Sequence, residues 1–293
     1  MMQEGLIVSA NSGFYYVKTD DGVVECRARG IFRKQHRSPL VGDRVQITRD
    51  GETGTVEEML PRKNALIRPP VANLDFLALV VATKEPAPNL QVLDRLIVAA
   101  ELKGIEPIVV VSKGDLGDSG DLCEIYKKAG IVSFAASGVT GEGIEQLAGL
   151  IKGRIGAFTG NSGVGKSTLL NSLDPSLDLG TGEISRKLGR GRHTTRLVTL
   201  FEACGGYIAD TPGFSSIDTG RFDPILKDQL QFYFREFAPY LNGCRYTGCS
   251  HTKESGCTVI AAVEAGVIAP SRHKSYCDLY EEAKGLKEWE MNK

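Results

Sequence analysis

Short alternating runs occupy the chain up to residue 66: "GLIVSA", "GFYYVKT", "GVVECRARG", "DRVQIT" and "GTVEEML", each interrupted by Gly, Asp or Asn. β-branched and aromatic residues alternating between turn formers predict strands. Five strands without a long helix predict a small barrel of the oligonucleotide-binding type, with an SH3-like barrel or a small sandwich as alternatives. Pro69 and Pro70 in "IRPPVAN" read as a linker. From Leu74 the pattern changes. Continuous apolar runs ("LDFLALVVAT", "PIVVVS", "IVSFAAS", "RIGAFTG") alternate with helical stretches ("LQVLDRLIVAAELKG", "DLCEIYKKAG", "GIEQLAGLIKG"). Strands apolar on both faces with intervening helices predict a doubly wound parallel sheet. Past about residue 222 strand patterns stop, and "PILKDQLQFYFREF" places Leu226, Leu230, Tyr233 and Phe237 on one helical face. Further helices are predicted near 258–265 and 271–290. The expected organisation is a multidomain α/β chain: a barrel over 1–68, an α/β domain over 69–222 and a helical domain over 223–293.

Composition narrows the class. With 293 residues, 42% hydrophobic and 24% charged, the chain reads as globular and excludes a disordered or fibrous protein. No apolar run reaches the roughly 18 residues of a membrane helix, and "MMQEGLIVSANSG" lacks a basic start before an apolar core. The expectation is a cytoplasmic protein with no membrane partner, and a monomer by default. A net charge of -1 argues against a uniformly basic nucleic-acid binder but leaves local patches open. One is "RARGIFRKQHR", where Arg27, Arg29, Arg33, Lys34 and Arg37 surround Phe32. Such a cluster suits an RNA backbone with a base stacked on the ring.

The chemistry begins at "GNSGVGKST", where Gly160, Asn161, Ser162, Gly163, Val164, Gly165, Lys166, Ser167 and Thr168 fit G-x-x-x-x-G-K-[ST]. Glycines let backbone N–H groups turn onto phosphates, Lys166 meets the β- and γ-phosphate charge, and Ser167 offers a hydroxyl to Mg²⁺. In "YIADTPGF", Asp210 follows a strand and is placed to hold Mg²⁺, and Gly213 to sense a γ-phosphate. Between them, "GRGRHTTRLVTL" offers Thr194 and Thr195 to Mg²⁺, with Thr195 preferred. The base reader lies upstream. In "VVVSKGDL", Ser112, Lys113, Gly114 and Asp115 follow a buried strand, and the Asp115 carboxylate can accept both guanine N1–H and the exocyclic amine. Adenine offers no such pair, so GTP and GDP are expected over ATP. Ser137 and Gly138 in "AASGVTGEG" match a loop whose amide meets the guanine oxygen. Both base-reading motifs precede the phosphate loop. In a doubly wound sheet, chain order need not be spatial order, so a circular permutation preserves the site.

"CRYTGCSHTKESGC" supplies Cys244, Cys249, His251 and Cys257. Three thiolates and an imidazole fill a tetrahedron, which predicts one structural Zn²⁺ with no open position. The other cysteines, Cys26, Cys123, Cys204 and Cys277, are scattered and expected to be inert.

Barrel, permuted motifs, "GRGRHTT", "DTPGF" and the terminal cysteines together resemble the ribosome small-subunit-dependent GTPase A family over nearly the whole chain. The resemblance implies a GTPase that assists late maturation of the small ribosomal subunit, with that subunit and its rRNA as partners. It also implies a zinc-bound cysteine cluster. One departure stands out: Ser112 occupies the place of the family's asparagine and is too short for all of that amide's bridging bonds. Where many GTPases carry a water-orienting glutamine after D-x-x-G, this chain has Phe214. Slow intrinsic turnover, completed by a partner, is therefore expected. His193 has two readings: a replacement that contacts the attacking water, or one more polar residue among Arg190, Arg192 and Arg196. The alternatives in other classes are a binding switch without turnover and a small-molecule phosphotransferase.

Overall fold

The computed structural model describes residues 2–34, 37–66, 69–177, 198–210 and 224–286. β1 (Met2–Asn11), β2 (Phe14–Thr19), β3 (Gly22–Ala28), α1 (Gly30–Lys34), β4 (Arg44–Asp50) and β5 (Thr53–Met59) come first. They pair in the order β1-β2-β3-β5-β4, and β4 returns to β1. All neighbours are antiparallel except β3 with β5. The ring closes on itself as a five-stranded barrel, in line with the barrel the sequence predicts. Inward positions such as Ile7, Val17, Val45, Ile47 and Val56 are fully buried, which pins the register.

Pro69 and Pro70 lie in the turn of a small ribbon, β6 (Ala65–Leu66) with β7 (Val71–Ala72). Side chains fasten this connection on both sides. Asn73 donates to the Gly42 carbonyl of the barrel at 2.8 Å, and Asn64 to the Leu74 carbonyl at 2.8 Å.

The α/β part follows: β8 (Phe76–Ala82), α2 (Leu90–Leu102), β9 (Glu106–Ser112), α3 (Gly120–Lys128), β10 (Val132–Ala136), α4 (Ile144–Ile151), β11 (Ile155–Thr159), α5 (Lys166–Leu173), β12 (Thr199–Ala203) and β13 (Gly206–Asp210). Their order is β10-β9-β8-β11-β13-β12. All are parallel except β12, which forms an antiparallel hairpin with β13. β8 explains its uninterrupted apolar sequence: Leu77, Leu79 and Val81 pack with α2 and α3, whereas Phe76, Ala78 and Val80 pack with α4 and α5. Asn89 caps α2 by accepting the Val92 N–H at 3.1 Å. The antiparallel strand and its link to the barrel were not legible in the sequence. β12 touches β1 through Ser9 and Thr199, so one hydrogen-bonded sheet runs from the α/β part into the barrel.

The single long helix expected from "PILKDQLQFYFREF" is not formed. α6 spans only Lys227–Leu230, followed by 3-10 turns over Gln231–Tyr233 and Arg235–Tyr240. The break lets Phe234, extended in backbone, join Phe237 and Tyr276 in an aromatic core while Pro239 precludes a regular helix beyond. α7 (Thr258–Glu264) and α8 (Pro270–Ala283) complete the chain's described part. Among the described residues, no helix is long and apolar enough to cross a membrane.

Candidate nucleotide and metal sites

Parallel strands deliver the candidate residues to one edge of the sheet. Gly160 follows β11 with φ +148°, and a Cβ there would run into the Val80 carbonyl of β8. Gly163 (φ +80°) and Gly165 (φ +93°) turn the loop into α5, which starts at Lys166, so the loop amides and the helix N-terminus face the same space. Lys166 Nζ donates to the Gly160 and Asn161 carbonyls at 2.7 and 2.8 Å. Burial pushes this ammonium down to about 8.

The upstream motifs arrive at the same edge through β9 and β10. Lys113 takes the left-handed conformation, its Nζ donates to the Glu85 carbonyl at 2.6 Å, and its carbonyl accepts from Thr83 Oγ1 at 2.8 Å. Asp115 sits in a 3-10 turn over Gly114–Leu116. Ser137 Oγ accepts from the amides of Val139 and Thr140, both at 3.3 Å, so its own proton goes to Asp115 Oδ1 at 3.1 Å. A Cβ on Gly138 would lie 2.6 Å from the Thr168 carbonyl, and Ser172 of α5 donates to the Gly138 carbonyl at 2.8 Å. The two candidate base-reading loops are thus joined to each other and packed on the phosphate-loop helix. Ser112 is buried, and its Oγ faces the carbonyls of Val164, in the phosphate loop, and Val81.

β13 lies beside β11 and ends at Asp210. His193, Thr194, Thr195, Gly213 and Phe214 lie outside the described residues.

In the C-terminal part, one ligand atom from each of Cys244, Cys249, His251 and Cys257 falls within 4.8 Å of all the others. Cys244 Sγ and Cys257 Sγ are 3.8 Å apart, and His251 Nδ1 is 3.5 and 3.3 Å from them. A tetrahedral zinc with ordinary bond lengths spaces its sulfurs at roughly 3.8 Å, so the donor set fits that ion. Glu254 organises the intervening loop. Against the cost of burial, hydrogen bonds from Ser250 and the loop amides hold its carboxyl down to about 2. By contrast, burial pushes the thiols of Cys26, Cys123, Cys204 and Cys277 up, which keeps them protonated.

Residues 59–220 match the family model described as RsgA GTPase, and residues 4–56 match the RsgA N-terminal domain. The chain belongs to the RsgA GTPase family. Two curated relatives named small ribosomal subunit biogenesis GTPase RsgA are each 46% identical to it. That of Geobacillus thermodenitrificans covers 98% of this chain and 99% of its own length, and that of Caldanaerobacter subterraneus 96% of each. Among solved structures, YjeQ from Thermotoga maritima superposes with a TM-score of 0.82 at 35% identity, covering 98% of this chain and 100% of its own. YloQ, described as a circularly permuted GTPase, gives 0.80 at 34%, covering 98% and 96%. This RsgA-family protein is therefore a GTP-hydrolysing enzyme, and its inverted motif order is the family's permutation. Sequence spacing gave no sign of Thr83, Glu85 or Glu254, because each acts through a backbone contact to which no motif corresponds.

Proposed function

We propose that the protein is a ribosome-stimulated GTPase that binds the small ribosomal subunit and assists its late maturation, converting GTP and water to GDP and phosphate. The observation that carries this reading is the convergence of Asp115, Ser137 and the Lys166 loop on one sheet edge. In this reading Asp115 selects guanine, aided by Ser112, Lys113, Gly114 and the Ser137–Gly138 backbone. The amides from Gly160 to Thr168 hold the phosphates. Ser167, with Thr194 or Thr195 and Asp210, would hold Mg²⁺, a hard cation suited to hydroxyl and carboxylate oxygens, which supplies charge neutralisation at the phosphates.

Water attacks the γ-phosphorus, the bond to the β–γ bridging oxygen breaks, and Lys166 stabilises the charge that develops there. Phe214 has no group to orient that water, so a partner must complete the site; His193 is the candidate within the chain. The basic barrel segment around Phe32 and the zinc-bearing module supply surfaces for rRNA. Relatives named for small-subunit biogenesis support the choice of partner. GTP turnover measured alone and with purified small subunits tests the reading, with ATP as control. A low rate raised strongly by subunits, for GTP only, is expected; a rate indifferent to subunits would remove the proposed partner.

A further inference from the structure

His251 is the one imidazole of the metal cluster, and the atoms on both sides of its ring are accounted for. It is 1% exposed, and its Nδ1 faces the sulfurs of Cys257 and Cys244 at 3.3 and 3.5 Å. Its Nε2 lies 2.9 Å from Gln231 Oε1. The orientation of the Gln231 amide is fixed independently, because its nitrogen donates to the Asp228 carbonyl at 3.1 Å. A carbonyl only accepts, so the amide oxygen must be the atom turned to His251. That oxygen also only accepts. The imidazole proton is therefore on Nε2, and the lone pair on Nδ1 points at the thiol cluster.

The backbone holds the ring in place from below. His251 takes a left-handed conformation (φ +57°), and its carbonyl accepts from His273 Nε2 at 2.7 Å. Gln231 opens the 3-10 turn directly after α6, which among the described residues is the first helix downstream of the D-T-P-G segment.

We propose that Gln231 is the positioning residue of the metal centre: through one hydrogen bond it makes Nδ1 the coordinating atom of His251 and fastens the chain downstream of D-T-P-G to the metal. The inference rests on the zinc reading of the Cys/His cluster. Hydrogen-bond acceptors on the distal nitrogen of a ligand histidine commonly change metal affinity by about 10–100-fold.

The test uses the full-length chain as wild type, Gln231→Ala and Gln231→Glu. Metal content is measured first; a wild type purified without zinc, and unable to take up zinc or Co²⁺, would overturn the reading beneath the proposal. With metal present, zinc release to a colorimetric chelator and the d–d absorption of the Co²⁺-substituted protein are compared. Gln231→Ala is expected to release zinc at least about tenfold faster, with altered Co²⁺ bands. Gln231→Glu keeps an acceptor oxygen for Nε2 but gives up the bond to the Asp228 carbonyl, so its zinc release should stay clearly slower than that of Gln231→Ala. GDP affinity, whose determinants lie elsewhere, should be unchanged in all three and reports that the rest of the chain is folded. Zinc release from Gln231→Ala at the wild-type rate would overturn the role of Gln231 while leaving the zinc site intact. Equal impairment in both variants would also overturn it, since packing rather than the acceptor would then matter.

Discussion

Ser112 carries one hydroxyl proton and faces two carbonyls, so its contribution is a single bond between the guanine-reading strand and the phosphate loop. Its short side chain suggested that the bridge would be incomplete. The structure shows that part of it survives: Ser112 Oγ still reaches the Val164 carbonyl of the phosphate loop. Ser112→Ala should leave the Val164 carbonyl without this donor, a cost of about 1–2 kcal/mol, and speed GDP dissociation about tenfold in a stopped-flow displacement assay. Asp115→Asn should lower GDP affinity by at least about 100-fold and favour xanthine nucleotides, whose base presents an acceptor in place of the amine. Lys166 gives a pH signature. Its charge is needed to meet phosphate and, in the free protein, is lost as pH rises through about 8. Titrated from about pH 7 to about pH 8.7, before guanine loses its N1 proton, GDP affinity should fall about fivefold. These side chains were legible because each sits in a motif of fixed local spacing. Gln231 was not, because its partner His251 is reached only through the fold.

Among the elements, α2 ties the α/β part to the C-terminal part. Asp94 of α2 and Glu236 flank Arg272 of α8 at 2.8 and 2.7 Å, and Arg272 is only 1% exposed. Tyr126 of α3 adds its hydroxyl to Asp94 at 3.1 Å, and the guanidinium lies 4.6 Å from the Phe234 ring. Nearby, Arg235 pairs with Glu101 and Glu106. Burial pushes the Asp94 carboxyl up, and the charge of Arg272 beside it opposes that push. Arg272→Met should therefore strand two buried carboxylates and lower stability by about 3–5 kcal/mol, visible as a large drop in melting temperature. None of this was readable beforehand, since its members are scattered over α2, α3, the 3-10 turns and α8. The α6 region misled for a related reason. Leu230, Phe234 and Phe237 are all buried at the i, i+4, i+7 spacing of a helical face, yet Phe234 is extended in backbone, so tertiary packing against Tyr276 outweighed local periodicity.

The molecule as a whole joins its barrel, its α/β part and its C-terminal part through the shared sheet at β1 and β12, buried ion pairs and an apolar core that takes in Val98 of α2. The metal cluster and the nucleotide loops belong to different modules, so removing zinc with a strong chelator should raise hydrogen exchange across 244–257 and α7 while leaving GDP affinity within about twofold. The alternation of the sequence disclosed the barrel and the parallel sheet, because both faces of each strand obey burial rules that composition records. The junction of β1 with β12 escaped because a single bridge between Ser9 and Thr199 has no pattern. The strand order β10-β9-β8-β11-β13-β12 has a further consequence, for synthesis. β8 leaves the ribosome before the other strands of the α/β part, and β9, β10 and then β11 each add to an edge that already exists. The half that carries the proposed guanine-reading loops is thus translated, and free to assemble, before the phosphate loop has emerged. A nascent chain can retain the nucleotide only after β11 has docked, so nucleotide retention marks the point at which the sheet has grown past its own beginning.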